Sequence, residues 1–199
     1  MKKRYHQIEL FMKYPIEVQN ELFERLIKSS KSTEWGRKYD YITIKSQTSF
    51  RERIPLQTYE ELKPYVSRLK RGEQNLLWPT EINWFAKSSG TTSDKSKYIP
   101  VSREALEDCH YKGGKDLLAI YNHNHADNIL YNGKSLVLGG SSQINHFRRD
   151  SYYGDLSAII INNLPLWVER KRIPERSIAL MDKWEEKIER MALSVKDED

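Results

Sequence analysis

Residues 82–101 read INWFAKSSGTTSDKSKYIPV. The short apolar and aromatic run from Ile82 to Ala86 predicts a strand, and the run from Lys97 to Val101 predicts a second one. Between them lies a polar loop, from Lys87 to Ser96, which contains a single glycine. We therefore expect residues 82–101 to fold as strand, loop and strand.

The composition of this loop suits the binding of phosphate. Gly90 has no Cβ, so backbone N–H groups around it can approach an anion closely. Hydroxyl and ammonium donors surround it, on Ser88, Ser89, Thr91, Thr92, Lys95 and Lys97. The spacing differs from that of the G-x-x-x-x-G-K-[ST] phosphate loop. On residue types alone, a polar loop that binds nothing explains the pattern equally well.

Two helices are predicted before the loop. Residues 15–31 carry apolar residues at helical spacing, and Pro15 suits the first helical position. Residues 58–70 form a second helix, because Thr58 and Glu61 stand at the spacing of a capping box.

After the loop, Ser102 is expected to cap a helix that reaches about Tyr121. Leu136 to Leu138 should form a central strand, and Leu156 to Ile161 fits either a helix or a strand. Residues 182–195 predict an amphipathic helix. The fold class expected is α/β, rich in helices and with short strands.

Composition limits the class of protein. The chain has 199 residues, of which 38% are hydrophobic and 31% charged, which suits one medium domain or part of a larger one. No run approaches the roughly 18 apolar residues of a membrane span. The one cysteine, Cys109, excludes an internal disulfide and fits a reducing cytoplasm, where we expect the protein to be. We expect Cys109 itself to be buried on the apolar face of its helix.

The net charge is +5 and the isoelectric point is about 9.1. The basic residues are spread along the chain, in clusters at 2–4, 68–71, 148–149 and 170–172. A solvated surface is the favoured interpretation, since binding of nucleic acid requires the charge to gather on one face. A nucleic-acid binder remains an alternative that rests on the isoelectric point alone.

Two further motifs have a functional and a structural interpretation. His123, His125 and Asp127 could belong to a metal site, but two histidines and a carboxylate in a polar loop are more often solvated. The segment Gly139-Gly140-Ser141-Ser142 follows a predicted strand, where glycines allow close approach of a ligand. A tight turn explains this segment equally well.

The run Ser88-Ser89-Gly90-Thr91-Thr92, followed by Lys97 and Pro100, resembles the first nucleotide motif of the auxin-responsive acyl-acid amido synthetase family, in the adenylate-forming superfamily. Other stretches are similar to the amino-terminal region of that family, namely residues 33–38, 53–56, 58–62, 77–79, 154–157 and 163–165. The resemblance covers nearly the whole chain and has the character of the bacterial members.

The resemblance implies a ligase. A carboxylic acid would attack the α-phosphate of ATP, with Mg²⁺, to form an acyl-adenylate, and an amine or amino acid would then displace AMP. It also implies that the loop binds the nucleotide through Ser88, Ser89, Gly90, Thr91, Thr92 and Lys97. Asp94 departs from the motif, since the family often has a second glycine there. No catalytic residue and no metal ligand can be named in this chain.

The family's enzymes are much longer than 199 residues. The resemblance therefore implies that residues 1–199 are the amino-terminal part of the large adenylate-forming domain, without the smaller carboxy-terminal domain. Such a chain should be inactive alone, and it could form oligomers through exposed apolar surface. The expected partners are a small carboxylic acid and an amine, with no specific nucleic acid and no membrane. The alternative is a non-catalytic binding or regulatory remnant of the same fold.

Overall fold

A computed structural model describes residues 1–88, 96–140 and 144–196. These residues form helices and short strands, which confirms the predicted α/β class. The chain divides into two compact units. The first comprises Met1–Asn83 and Pro100–Ala126, and the second comprises Trp84–Ile99 and Asp127–Asp199.

Helices dominate the first unit. They are α1 (Lys2–Lys13), α2 (Pro15–Ser30), α3 (Glu34–Lys38), a 3-10 turn (Tyr41–Thr43), α4 (Gln47–Arg53), α5 (Tyr59–Lys70), a π-helix (Ala105–Tyr111) and α6 (Lys112–Asn124). The helices predicted at 15–31 and 58–70 correspond to α2 and α5. Their local signals are confirmed, because Pro15 stands at the start of α2 and the capping box of α5 is formed on both sides.

The core of the first unit is aromatic and aliphatic. Ile27, Trp35, Tyr41 and Ile44 are buried together. Beside it, Arg68 on α5 donates to both carboxylate oxygens of Glu34 at 2.7 and 2.8 Å, and this lowers the pKa of Glu34. One basic cluster of the sequence is thus partly engaged in an ion pair inside the fold.

The helix predicted from Ser102 begins as expected but winds differently. The Ser102 hydroxyl accepts the N–H of Ala105 at 3.1 Å, as a cap should. Residues 105–111 are then π-helical, and the α-helix starts only at Lys112. Because a π turn is wider than an α turn, the α-helical spacing fails there. The predicted burial of Cys109 is therefore wrong, since the thiol-bearing residue is exposed while Leu106 is buried.

The strands are β1 (Trp84–Lys87), β2 (Tyr98–Val101), β3 (Ser135–Leu136), β4 (Asn145–Arg148), β5 (Ser151–Gly154) and β6 (Arg172–Ile173). Both strands predicted around the loop are confirmed as β1 and β2. Four strands form one sheet in the order β2-β1-β5-β4. In that sheet β1 and β5 are parallel, whereas β4 and β5 are antiparallel.

The strand predicted at Leu136–Leu138 is not central. In the described part of the chain β3 has one neighbour, β6, with which it pairs in parallel. Leu136 is 60% exposed and Leu138 is 49% exposed. The prediction was wrong because a continuous apolar run is typical of a buried strand, yet no second strand covers this one within the described residues.

Four short helices complete the second unit: α7 (Leu156–Asn162), α8 (Leu166–Glu169), α9 (Arg176–Ala179) and α10 (Trp184–Val195). The ambiguous run at Leu156–Ile161 is therefore a helix. It packs against β1 and β5, and Ala158 and Ile159 on it are fully buried. In the described ranges no helix has the length and apolar character that a membrane crossing requires.

Candidate functional site

The two ends of the polar loop are held together by hydrogen bonds. Ser88, just after β1, donates its backbone N–H to the carbonyl oxygen of Lys97 at 2.9 Å. Lys97, just before β2, donates its N–H to the hydroxyl oxygen of Ser88 at 3.2 Å. The structure thus brings together the first and the last of the residues predicted to bind phosphate.

The residues between these ends lie outside the described part of the chain. They include Ser89, Gly90, Thr91 and Thr92, and their contact with a nucleotide stays a prediction. What the structure does define is the base from which this loop starts and to which it returns.

The base of the loop lies at the carboxyl end of a parallel strand pair. Ala86 on β1 is paired with Gly154 on β5, so both strands end at the same edge of the sheet. Ser88 follows the first strand and Asp155 follows the second. In α/β proteins, ligands bind beyond the carboxyl ends of parallel strands. The sequence left Asp155 without a role, and only the pairing of strands distant in sequence places it at this edge.

The sheet below this edge is packed with aromatic rings. Trp84 stacks on Tyr152 of the neighbouring strand, with ring centroids 4.8 Å apart. Phe85 is completely buried and meets the edge of Phe147 at 5.7 Å. Such contacts stabilise the strands that carry the loop. A loop on a rigid sheet is held in position at both ends.

The double glycine of the sequence lies beside Asp155. The Gly140 N–H donates to the hydroxyl of Ser157 at 3.1 Å. A Cβ on Gly140 would stand 2.9 Å from both the Asp155 carboxylate and the Ser157 hydroxyl. A Cβ on Gly139 would stand 2.6 Å from Ile161. Both positions therefore require glycine because other atoms of the protein lie too close for a Cβ. The neighbouring groups are residues of this chain, where the sequence also allowed a bound ligand.

A buried lysine holds the same segment from another side. Lys187 on α10 donates from Nζ to the carbonyl oxygens of Gly139, at 2.6 Å, and Gly140, at 3.2 Å. The residue is completely buried, and this burial lowers the pKa of its ammonium group. Sequence reasoning missed it. The available signal was its position, three residues after Trp184 and four before Met191, on the apolar face of the predicted helix.

The two histidines of the motif belong to the first unit and are exposed, whereas Asp127, also exposed, belongs to the second unit. His123 stacks face to face on Tyr5, with the ring centroids 3.6 Å apart. Across the described ranges, no group of three His, Cys, Asp or Glu side chains could hold a metal ion. His123 therefore contributes to the packing of α6 against α1.

Comparison with known proteins gives consistent matches. The family model described as the GH3 family N-terminal domain matches residues 4–198. The chain is 29% identical over 101 residues to the indole-3-acetic acid-amido synthetase GH3.2 of Arabidopsis thaliana, a match that covers 50% of this chain and 18% of that protein. It is 28% identical over 102 residues to the jasmonoyl–L-amino acid synthetase JAR4 of Nicotiana attenuata, covering 51% of this chain and 18% of that protein.

Solved structures share the fold. A GH3.15 acyl acid amido synthetase superposes with a TM-score of 0.77 at 18% identity, over 96% of this chain and 33% of that one. A structure of AtGH3.15 acyl acid amido synthetase in complex with 2,4-DB gives a TM-score of 0.67 at 20% identity, over 84% of this chain and 29% of that one. The chain therefore spans about a third of the solved relatives. Its predicted bacterial character stays a prediction.

Proposed function

The chain belongs to the GH3 family, and from that premise we propose that it is part of an ATP-dependent acyl-acid ligase. The family match confirms the resemblance that the loop motif and its flanking residues carry. In the proposed reaction a carboxylate oxygen attacks the α-phosphorus of ATP, and pyrophosphate leaves. The nitrogen of an amine or amino acid then attacks the acyl carbon, and AMP leaves. The product is an amide.

One observation carries the proposal: the loop of residues 88–97 starts at the carboxyl end of parallel strand β1 and is closed by Ser88 and Lys97. This is the edge at which α/β proteins bind nucleotides. We assign contact with the ATP phosphates to the loop, through Ser88, Ser89, Gly90, Thr91, Thr92 and Lys97. Lysine ammonium and backbone N–H donors match an anionic triphosphate.

Mg²⁺ would accompany the nucleotide and supply positive charge to the phosphates as the bond to pyrophosphate breaks. The described residues supply no cluster of metal ligands, so we assign it no ligand from this part of the chain. The contribution of the chain's own residues is to position the phosphates and to balance their charge.

Residues 1–199 would then form the amino-terminal part of the large domain. The match to an N-terminal domain model and the coverage of a third of a solved relative support this. The same coverage supports the second candidate, a non-catalytic binding or regulatory remnant. The proposed partners are a small carboxylic acid and an amine or amino acid, and the proposed compartment is the cytoplasm. Self-association through exposed residues such as Leu136 and Leu166 is also proposed, since both are more than half exposed.

The test is acid-dependent exchange of labelled pyrophosphate into ATP. It should be run on the 199-residue chain and on any longer protein that contains it. A panel of carboxylic acids should include indole-3-acetic acid and 2,4-DB, which the names of the relatives supply. Exchange by the longer protein would support the ligase. Its absence with every acid, together with tight binding of ATP, would favour the remnant.

A further inference from the structure

A single residue, Tyr14, joins the first helix to the second. α1 ends at Lys13 and α2 begins at Pro15. Proline has no N–H to donate to the carbonyl of Phe11, four residues earlier, and it disfavours helical backbone in the residue before it. Tyr14 accordingly has φ −129° and ψ 56°, outside the helical range. One non-helical residue between two helices is suited to act as a hinge.

Side chains near the other end of α1 hold it against α6. The Arg4 guanidinium donates from Nε and Nη2 to the two carboxylate oxygens of Asp116, and the bond from Nη2 is 2.7 Å long. Gln7 accepts from Nη1 of the same guanidinium at 2.8 Å. The neighbouring Tyr5 stacks on His123, with ring centroids 3.6 Å apart. We call the contacts of Arg4 and Tyr5 with α6 the latch.

The rest of α1 is weakly anchored. None of the twelve residues of α1 is buried. Leu10, Phe11 and Met12, at the end towards Tyr14, are exposed. A helix of this length is marginal in water once it loses its packing partners. Release of the latch would therefore detach and unwind α1 as one piece, while α2 stays in place through its buried residue Ile27.

An open cavity of about 580 Å³ reaches from the latch to the hinge. Arg4 of the latch and Pro15 beside the hinge both line it. Apolar and thiol side chains from α1, α2 and the π-helix also line it, namely Phe11, Val18, Leu22 and Cys109. All these elements belong to the first compact unit. α1 thus forms one wall of the cavity.

Gly113 on α6 keeps part of this space open. It lines the cavity, and among the described residues no atom lies within 4 Å of a Cβ added there. Close packing therefore does not account for a residue that costs helix stability relative to alanine. The missing side chain instead widens the cavity beside α1.

We propose that α1 is a strap that closes one side of this cavity: it detaches about Tyr14, and the latch of Arg4 and Tyr5 on α6 holds it shut. Opening exposes the wall that carries Cys109 and Gly113 to molecules too large to enter while α1 is docked. The proposal is independent of the polar loop, since every residue in it belongs to the first unit.

The experiment measures opening in the 199-residue chain by two methods. Hydrogen exchange, followed by ¹⁵N NMR, reports on the amides of α1 and α2. Alkylation of Cys109, the one cysteine of the chain, compares the small N-ethylmaleimide with the bulky fluorescein maleimide. The ratio of the two alkylation rates cancels changes in the reactivity of the thiol and leaves the effect of access.

Three variants separate the latch from its surroundings. Asp116→Asn removes the carboxylate that binds Arg4, and Tyr5→Leu removes the stacked ring but keeps an apolar side chain. The control is Glu107→Gln on the π-helix. It removes a carboxylate whose ion-pair partner is Arg103, at 2.7 Å, rather than a residue of α1.

We expect Asp116→Asn to speed exchange about three- to tenfold, between the effects of an exposed ion pair and of a shielded charge-assisted bond. The acceleration should be equal at all protected amides of α1 and absent in α2. The ratio of bulky to small alkylation rates should rise. Tyr5→Leu should act in the same direction, and Glu107→Gln should change neither readout.

Four results would overturn the proposal. Exchange that accelerates in neither latch variant shows that the latch does not hold α1, and acceleration confined to the first turn shows fraying of a helix end. Acceleration in α2 together with α1 excludes a hinge at Tyr14, and an unchanged alkylation ratio despite opening shows that α1 does not restrict the cavity. If Asp116→Asn fails to fold, Tyr5→Leu decides by the same criteria, because it alters only α1, which has no buried residue.

Discussion

The ammonium group of Lys187 lies 2.6 Å from the carbonyl oxygen of Gly139, in a place where no part of the lysine is exposed. Its second acceptor is the carbonyl of Gly140. Both acceptors are backbone groups, so the lysine fixes the backbone of Gly139 and Gly140 beside the candidate site. Loss of its side chain would leave two carbonyls without this donor.

Replacement of Lys187 by methionine keeps most of the volume and removes the donor. We expect Lys187→Met to lower the free energy of unfolding by about 1–3 kcal/mol, the cost of leaving buried acceptors unpaired. The control is Lys183→Met, at the exposed position just before the same helix, with an effect within about 0.5 kcal/mol. Urea denaturation followed by circular dichroism gives both values. Equal stability of the two variants would contradict the role of the buried bonds.

The buried lysine also predicts a pH dependence. Burial lowers the pKa of Lys187 in the folded state below its ordinary value of 10.5. At a pH between the folded-state pKa and 10.5, the unfolded chain therefore holds more protons than the folded chain. The free energy of unfolding therefore rises with pH in this interval below 10.5. Lys187→Met lacks this contribution. We expect the difference in the free energy of unfolding between wild type and variant to grow as the pH rises. Parallel pH profiles of this free energy for the two proteins would contradict the contribution of Lys187.

The glycines offer a matched comparison. A Cβ at Gly139 would meet Ile161 at 2.6 Å and the backbone oxygen of Ala179 at 2.9 Å, and the backbone cannot move aside easily. We expect Gly139→Ala to destabilise by about 1–3 kcal/mol. A Cβ at Gly114, inside α6, would meet nothing within 4 Å. Gly114→Ala should stabilise by about 0.5–1 kcal/mol, and thermal unfolding would show opposite shifts in Tm.

The assignment of the loop of residues 88–97 to the ATP phosphates can be tested by pyrophosphate exchange. In a longer protein that exchanges pyrophosphate into ATP, Thr91→Ala and Lys97→Ala should each slow exchange about tenfold to a hundredfold. This corresponds to roughly 1.5–3 kcal/mol for one charge-assisted contact made in the transition state. The 199-residue chain alone should show no turnover. Undiminished exchange by both variants would refute the assignment of the loop, and robust exchange by the short chain would show it to be catalytically sufficient.

Structural features that depend on residues close together in the sequence could be predicted from it. The capping box of Thr58 and Glu61 needs only a spacing of three, and it is present on both sides. The strands around the polar loop were found because apolar runs flank it. Such signals need no information about distant parts of the chain.

Structural features that depend on residues far apart in the sequence could not be predicted. The parallel pairing of Trp84 with Tyr152 brings Asp155 to the edge of the sheet at which the loop begins, and no local pattern specifies that register. Lys187 lies on an apolar helical face, where a lysine normally reaches outward to water. Residues 105–111 form a π-helix, in which the α-helical spacing that predicts a buried Cys109 does not hold.

The two units are interleaved along the chain, and this has a consequence during synthesis. The chain enters the second unit at Trp84, leaves it after Ile99 and returns at Asp127. A ribosome that has released only the first 126 residues has therefore made β1 but not β5, its neighbour in the sheet. Until Tyr152 and Tyr153 emerge, β1 has β2 on one side but lacks β5 on the other, and the nascent chain carries an aromatic strand with one open edge that is prone to aggregate. Neither unit can be excised by a single cut.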